Sequence, residues 1–452
     1  VPRWLHNPAS SANTYGFPAL DAPGDQFDAW VSAASAYVAA NSAQADTGAA
    51  NVTSIGDPSG LWQANGSYQY TGQNAVNADG LIAFPPAASV HFATLDTTSL
   101  TLSVLDHPTN SLGTTGYWYD NGFRKYLSVC WAPSSDRFYF APDYAYRYLS
   151  WDGDAGWNDW LRTYGANNTP STSFQQRGAS LYHDGDVYQL SRSGSGFVTR
   201  IDTSDDSMTA FTPSGLTTHN AALGPDGKAY CFGLDTIQTL DLATNAVATV
   251  AATKNPDWYS VGGLVDEITR PCLAADGTFW VFPSSRNSSG LNSSTYFAVR
   301  FDPFDDSVTQ VDWRSGPTVE EMSPSTSGGS FLTPCLMPDG RLLVGAYYNR
   351  AVKPAGTTTY LGTYGPHTFD PATGEWMNGA DRYPFGSGFT MQWGLHGAGS
   401  IGADGRWYPS PARIAAGGQY GNPLPDHGYG GRFLGPPDVM PPPEFYASPY
   451  KT

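Results

Sequence analysis

The chain has 452 residues, with Gly 50, Pro 35, 14% aromatic and only 14% charged residues, and a formal net charge of −17. So acidic a chain argues against a nucleic-acid backbone or an anionic membrane surface as partner, since both are held by clustered Lys and Arg. No stretch approaches the roughly 20 apolar residues that span a bilayer, and five lysines among many Gly, Pro, Thr, Val and Tyr indicate an all-β protein rather than a helical one.

The opening "VPRWLHNPAS" lacks a basic region followed by an apolar one, so no signal peptide is read there. Residues 1–24 are punctuated by proline and carry Trp4, Tyr15 and Phe17, more aromatics than a free tail keeps. They are expected to form an extended arm laid on a surface of this subunit or of a neighbour. Residues 25–50 hold the helix, its pattern running over 25–45. Asp25 is the expected N-cap, and Phe27, Trp30, Val31, Ala34, Tyr37 and Val38 share one face. Such a helix covers a face of the remaining fold or docks a partner.

Residues 51–416 are expected to form one domain, and within it the sequence repeats itself. An Asp-Gly pair between apolar runs recurs at Asp79, Asp184, Asp226, Asp276, Asp339 and Asp404, and a degenerate copy reads Ser134-Ser135-Asp136. Asp-Gly between alternating strands signals a hairpin, expected here as a type I′ turn with φ > 0 at both central residues. A second phrase follows most copies, with Asp202, Asp241, Asp302 and Asp370 each opening a turn between two strands, and Asp96 in the matching place of the first copy. Two hairpins per repeat, with successive copies 42 to 65 residues apart, make four-stranded blades. One small sheet cannot bury both faces, so the blades must close into a ring. The expected fold is therefore a β-propeller of about seven four-stranded blades, with six or eight possible. The last blade, around Asp404, is short of strands, and residues 51–72 are candidates to supply them.

Cys272 and Cys335 stand four residues before their turn Asp, and Cys130 matches them if its turn is longer. The equivalent residues Ser180, Ala222 and Ser400 are small too, as the crowded inner strands require. These cysteines read as buried free thiols, with no Cys-x-x-Cys metal pattern.

The residues leading into the inner strands include Arg177, His219, Arg270 and His396, a channel rim able to bind an anion or simply to line a solvated pore. Aromatics are dense at Trp118, Tyr144, Tyr146, Trp157 and Trp160, the last two near Asp152, Asp154 and Asp159. Planar rings beside carboxylates suit sugars as well as protein surfaces. The pairs Asp205-Asp206 and Asp305-Asp306 occupy a turn that reads "ATN" or "ATG" elsewhere, so a turn role outweighs calcium binding. No catalytic motif, cofactor motif or metal site is found; the loop around Ser195 does not sit on a strand-to-helix elbow. Residues 417–452, rich in Gly and Pro, carry Phe433, Phe445 and Tyr446 and read as a second extended arm.

The repeat Asp-Gly-x-x-[Tyr/Trp], followed by the Asp-opened turn, resembles β-propellers of bacterial secreted proteins and of bacteriophage structural genes over about residues 75–415. With two aromatic arms and no export signal, the chain looks most like the phage members. That resemblance implies a non-enzymatic virion surface protein, a capsid decoration or spike or a tail-adsorption component. Its arms would meet other capsid or tail proteins and its disc a host surface glycan, with no cofactor, nucleic acid or membrane insertion, and the place of residence would be the virion, assembled in the host cytoplasm. The alternative is an extracellular or periplasmic propeller, an enzyme or carbohydrate-binding lectin working through the channel rim. Fold alone does not choose between them.

Overall fold

The computed structural model describes residues 23–41 and, between 74 and 408, the strands and turns given below. Residues 1–22, 42–73 and 409–452, and most of the longer connections, lie outside the described residues.

Six four-stranded antiparallel sheets follow one another along the chain, each pairing in sequence order. Blade 1 comprises Ala75–Val76, Leu81–Phe84, Phe92–Asp96 and Thr101–Leu105. Blade 2 comprises Tyr126–Ala132, Arg137–Pro142, Arg147–Trp151 and Trp157–Leu161. Ser180–His183, Asp186–Leu190, Val198–Asp202 and Met208–Phe211 make blade 3. Blade 4 is built from Asn220–Leu223, Lys228–Phe232, Thr236–Asp241 and Val247–Ala252. Blade 5 uses Cys272–Leu273, Phe279–Val281, Phe297–Asp302 and Ser307–Asp312, and blade 6 uses Cys335–Leu336, Leu342–Val344, His367–Phe369 and Trp376–Met377. A seventh unit is the hairpin Ser400–Ile401 with Trp407–Tyr408.

The first strands of blades 1 and 2, of blades 2 and 3 and of blades 5 and 6 lie side by side, and Ser400–Ile401 comes to rest beside Ala75–Val76, which closes the ring. The chain is a β-propeller, with six complete blades and a seventh hairpin among the described residues. Residues 51–72, the candidates to complete that hairpin, lie outside the description.

The apolar core sits between blades. Strand alternation sends one set of side chains to each neighbour. Leu181, Tyr188, Leu190 and Val198 of blade 3 pack with Ala221, Leu223, Ala229 and Leu240 of blade 4. The intervening residues Tyr182, Val187 and Ile201 pack backwards on Cys130, Ala132, Tyr139 and Tyr148 of blade 2. Between blades 1 and 2 the wedge is aromatic, Phe92 meeting Tyr126 at 5.4 Å, Phe140 at 5.0 Å and Trp157 at 4.8 Å between ring centroids. Cys130 and Cys272 are fully buried on first strands and are not in disulfides, and Ser180 and Ala222 at the equivalent positions are equally buried. Cys231, on the second strand of blade 4, is also buried, which pushes its thiol up to about 12.

The described hairpin turns are not all built as expected. Among the described Asp-Gly turns, only Asp184-Gly185 has both residues at positive φ, as a type I′ turn requires. In blades 1, 4 and 5 the Gly alone is positive. There the Gly N–H bonds back three residues, Gly227 to the Gly224 carbonyl at 3.1 Å and Gly277 to the Ala274 carbonyl at 3.1 Å. That is a type I turn closed by a left-handed Gly, and it explains why a residue such as Pro225 precedes the Asp.

The second turn behaves as read from sequence. Asp96, Asp202, Asp241, Asp302 and Asp370 each accept a backbone N–H two residues on, at 2.8 to 3.0 Å. The fourth residue after each of them is left-handed: Leu100, Asp206, Asn245, Asp306 and Gly374.

Helix α1 spans Pro23–Asn41. Asp25 therefore falls inside the first turn instead of capping it, with Pro23 at the helix start, where its fixed φ is already suited to the turn. The helix lies across the hairpin turns of blades 5 and 6 and reaches blade 4. Phe27 packs on Tyr230, Phe279 and Phe304 at 5.9, 6.2 and 5.8 Å. The Trp30 indole N–H donates to the Ala274 carbonyl at 2.9 Å. A Cβ placed on Gly277 would meet Val31 at 2.9 Å, and one on Gly340 would meet Val38 at 3.3 Å, so both turns need glycine twice over.

Candidate functional site

The strand order gives the disc two unlike faces. In each blade the first-to-second and third-to-fourth turns fall on one face, and these are tight throughout. The second-to-third and blade-to-blade connections fall on the other. Several of them are long: residues 106–125, 162–179, 253–271, 313–334 and 378–399 between blades, and 282–296 and 345–366 within blades 5 and 6, whereas 233–235 suffice within blade 4. Two small extra sheets are built from these connections. Glu267–Ile268 pairs with Pro283–Ser284, and Glu321–Met322 pairs with Arg350–Lys353, which pairs in turn with Leu361–Thr363. Connections of this kind, carried by a rigid scaffold, are where binding groups are usually placed.

On the turn face, many polar groups bond one another. Thr97 and Thr203 each donate backbone N–H and hydroxyl to the Gly80 and Gly185 carbonyls, tying the two turns of a blade together. Ser134 of blade 2 bonds Thr203 of blade 3 at 2.6 Å. The Asp206 carboxylate accepts from the Tyr139 hydroxyl at 2.9 Å and from the Asn158 amide at 2.7 Å, both in blade 2. Asp205 and Asp305 each take the N–H of the Ser two residues on. The Asp pairs thus serve turns, and Asp206 joins two blades as well.

A cluster of titratable groups lies at the seam of blades 3 and 4 on this face. His183 ends the first strand of blade 3 and stands against Gly227, where an added Cβ would come within 2.8 Å of its ring. Burial holds His183 below its ordinary pKa although Asp184, Asp186, Asp241 and Asp226 all pull the other way. The Asp226 side chain is 1% exposed and pairs with Lys228 at 3.1 Å, and the Tyr230 hydroxyl donates to it at 3.2 Å. Burial nevertheless raises the Asp226 carboxyl. Nearby, Arg200 clamps Asp186 at 2.6 Å. This cluster escaped the sequence reading because His183 carries no motif. Its only signal was position, directly before a turn Asp. Among the described residues, no group of three or more His, Cys, Asp or Glu is arranged to hold a metal ion.

No protein-family profile matches the sequence, and no curated protein matches it. Solved structures do. A streptogramin B lyase matches over 80% of this chain and 94% of its own, at 11% identity and TM-score 0.50. A chain of a mitotic checkpoint complex matches over 82% and 93%, at 10% identity and TM-score 0.49. An extracellular domain of a two component system from B. thetaiotaomicron matches over 80% and 38%, at 12% identity and TM-score 0.46. The likeness is one of fold alone.

The four rim residues Arg177, His219, Arg270 and His396 lie outside the described residues, as do Trp118, Tyr144, Tyr146 and Asp154, and the arm residues Trp4, Tyr15, Phe17, Phe433, Phe445 and Tyr446. In sequence, the rim residues precede Ser180, Asn220, Cys272 and Ser400, where first strands begin on the long-connection face. Trp157 and Trp160 lie on the fourth strand of blade 2. Trp157 is half-buried against Phe92, Phe140 and Trp151 and belongs to the wedge between blades 1 and 2. Asp152, set beside the tryptophans in sequence, binds Arg137 at 2.9 Å and takes the Gly156 N–H at 3.0 Å. No helix among the described residues is long and apolar enough to cross a membrane.

Proposed function

We propose that the protein is a ligand-binding propeller, a secreted enzyme or carbohydrate-binding protein, that works through its long-connection face at the mouth of the central channel. The observation that supports this is the asymmetry of the disc. One face consists of tight turns tied together by hydrogen bonds between neighbouring turns and blades, and helix α1 partly covers it. The other gathers the long connections and two additional sheets. In this reading Arg177, His219, Arg270 and His396 give the mouth a positive rim on an otherwise acidic protein, suited to a ligand with a carboxylate or sulfate. The test is a screen of neutral and acidic oligosaccharides by calorimetry, repeated with the Arg177→Ala/His219→Ala double variant. Loss of binding with an unchanged Tm supports the reading; binding that is unaffected, or preference for neutral sugars alone, defeats it.

A second reading is the virion surface protein, in which residues 1–22 would serve as the anchoring arm ahead of helix α1. Residues 1–22 join the helix at the end where Phe27 packs on blades 4 and 5. An arm leaving there would anchor the disc by its turn face and leave the long-connection face pointing outward. Mass spectrometry of purified particles, and the presence or absence of a leader in the gene, separate the two readings.

A further inference from the structure

Gln189 lies on the second strand of blade 3 with no solvent exposure, and neither its Nε2 nor its Oε1 has a hydrogen-bond partner within the protein. It stands two residues from Val187, whose side chain packs on blade 2, so strand alternation turns Gln189 toward blade 2 as well. Its ladder neighbours are Ser180 on one side and Thr199 on the other.

Both neighbours are already engaged across the seam. Ser180 pairs with Ser128 of blade 2 at 2.7 Å, toward the channel, and Thr199 pairs with the Tyr148 hydroxyl at 2.8 Å, toward the rim. The amide therefore sits in a buried polar layer between two hydroxyl pairs. Opposite Ser128 in the blade 2 ladder stands Ala141, which has no side-chain polar group to offer. A primary amide has two donor hydrogens and an acceptor oxygen, and buried groups of this kind almost always find partners.

We infer that the seam between blades 2 and 3 encloses ordered water that hydrogen-bonds the Gln189 amide. A buried water typically makes about three hydrogen bonds. The amide and the flanking hydroxyls, each able to donate and accept at once, supply that number. The water would join the inner hydroxyl pair to the outer one and complete a polar layer running from the channel wall outward. The inference is independent of which ligand the protein binds.

A crystal structure of the wild-type protein, at a resolution that shows ordered solvent, decides the matter. Enclosed density within hydrogen-bond distance of Gln189 is the expected result. An amide bonded directly to Ser128, Ser180, Thr199 or Tyr148, with no enclosed density, overturns the inference. Where crystals are not obtained, a nuclear Overhauser effect between bound water and the Gln189 side-chain amide serves: its presence supports enclosed water, and its absence with the amide signals assigned overturns the inference.

Discussion

The Tyr139 hydroxyl in blade 2 donates to the Asp206 carboxylate in the third-to-fourth-strand turn of blade 3, at 2.9 Å. The same position of the repeat, three residues after the turn Gly, does related work elsewhere. Tyr188 reaches from blade 3 to the Leu242 carbonyl of blade 4 at 3.0 Å, and Trp280 of blade 5 packs on Phe369 of blade 6 at 4.7 Å. The aromatic in the phrase Asp-Gly-x-x-[Tyr/Trp] is thus the link from one blade to the next.

Removing one link should be measurable. Burial, with Asp206 alongside, holds the Tyr139 phenol far above its ordinary pKa, so it remains a donor through the working range. Tyr139→Phe keeps the ring and loses the bond to a carboxylate, an expected cost of about 2 kcal/mol. Urea unfolding of the variant checks this. Asn158 still serves Asp206 at 2.7 Å, so a loss far larger than that would point to damage beyond this bond.

Helix α1 should behave as a clamp over blades 4 to 6. Trp30→Phe forfeits the bond to Ala274 at roughly 1 kcal/mol, whereas Trp30→Ala empties a fully buried site at roughly 3–5 kcal/mol. Limited proteolysis should cut near the helix much faster in Trp30→Ala and little faster in Trp30→Phe. Equal rates in all three proteins would show that the helix holds by other contacts.

His183 makes acid destabilising. Its folded pKa is below 6.5, so between that value and the folded one the unfolded chain binds the extra proton. Stability then rises with pH through this window and is lost on acidification. Asp226 acts in the opposite sense. Its folded pKa is above 3.8, so in the window above 3.8 the native state binds the extra proton and stability falls as pH rises. From pH 8 down to pH 5, His183→Asn should therefore lose less Tm than the wild type. Parallel Tm–pH curves would rule out a buried neutral imidazole.

Leu100 is the one left-handed residue in its turn series that is neither Asp, Asn nor Gly, at φ 57°. A branched hydrocarbon gains nothing in that conformation, while Asn tolerates it. Leu100 also packs on the blade 1 cluster, so the substitution has two opposed effects. Leu100→Asn is expected to be neutral to stabilising by up to about 1 kcal/mol. A clear fall in Tm would mean that the packing outweighs the strain.

Much of this architecture was legible in the chain itself. Asp202, Asp241, Asp302 and Asp370 announce their turns because a short carboxylate captures N–H groups two residues on, a local event that needs no tertiary context. The hairpins were equally plain, but their turn type was not. Gly224-Pro225-Asp226-Gly227 closes as a longer loop because Pro at its second position favours a type I turn. Links across a seam, such as Tyr139 to Asp206 or His183 against Gly227, depend on which blade comes next and leave no mark in the spacing of residues. Arg177, His219, Arg270 and His396, by contrast, stand in connections between blades, the part of a propeller with no repeat to read.

The seating of Ser400–Ile401 beside Ala75–Val76 bears on how the molecule is made. During translation at 5–20 residues per second, the flank of the first blade waits roughly 15 to 65 s for its neighbour to emerge from the ribosome. The span is less daunting than its length suggests, because each intervening blade, once folded, shortens the free chain that must be brought around. A nascent protein stalled before Ser400–Ile401 emerge would therefore be an open arc with two apolar edges, the form in which it is most exposed to chaperones and to pairing with another copy of itself.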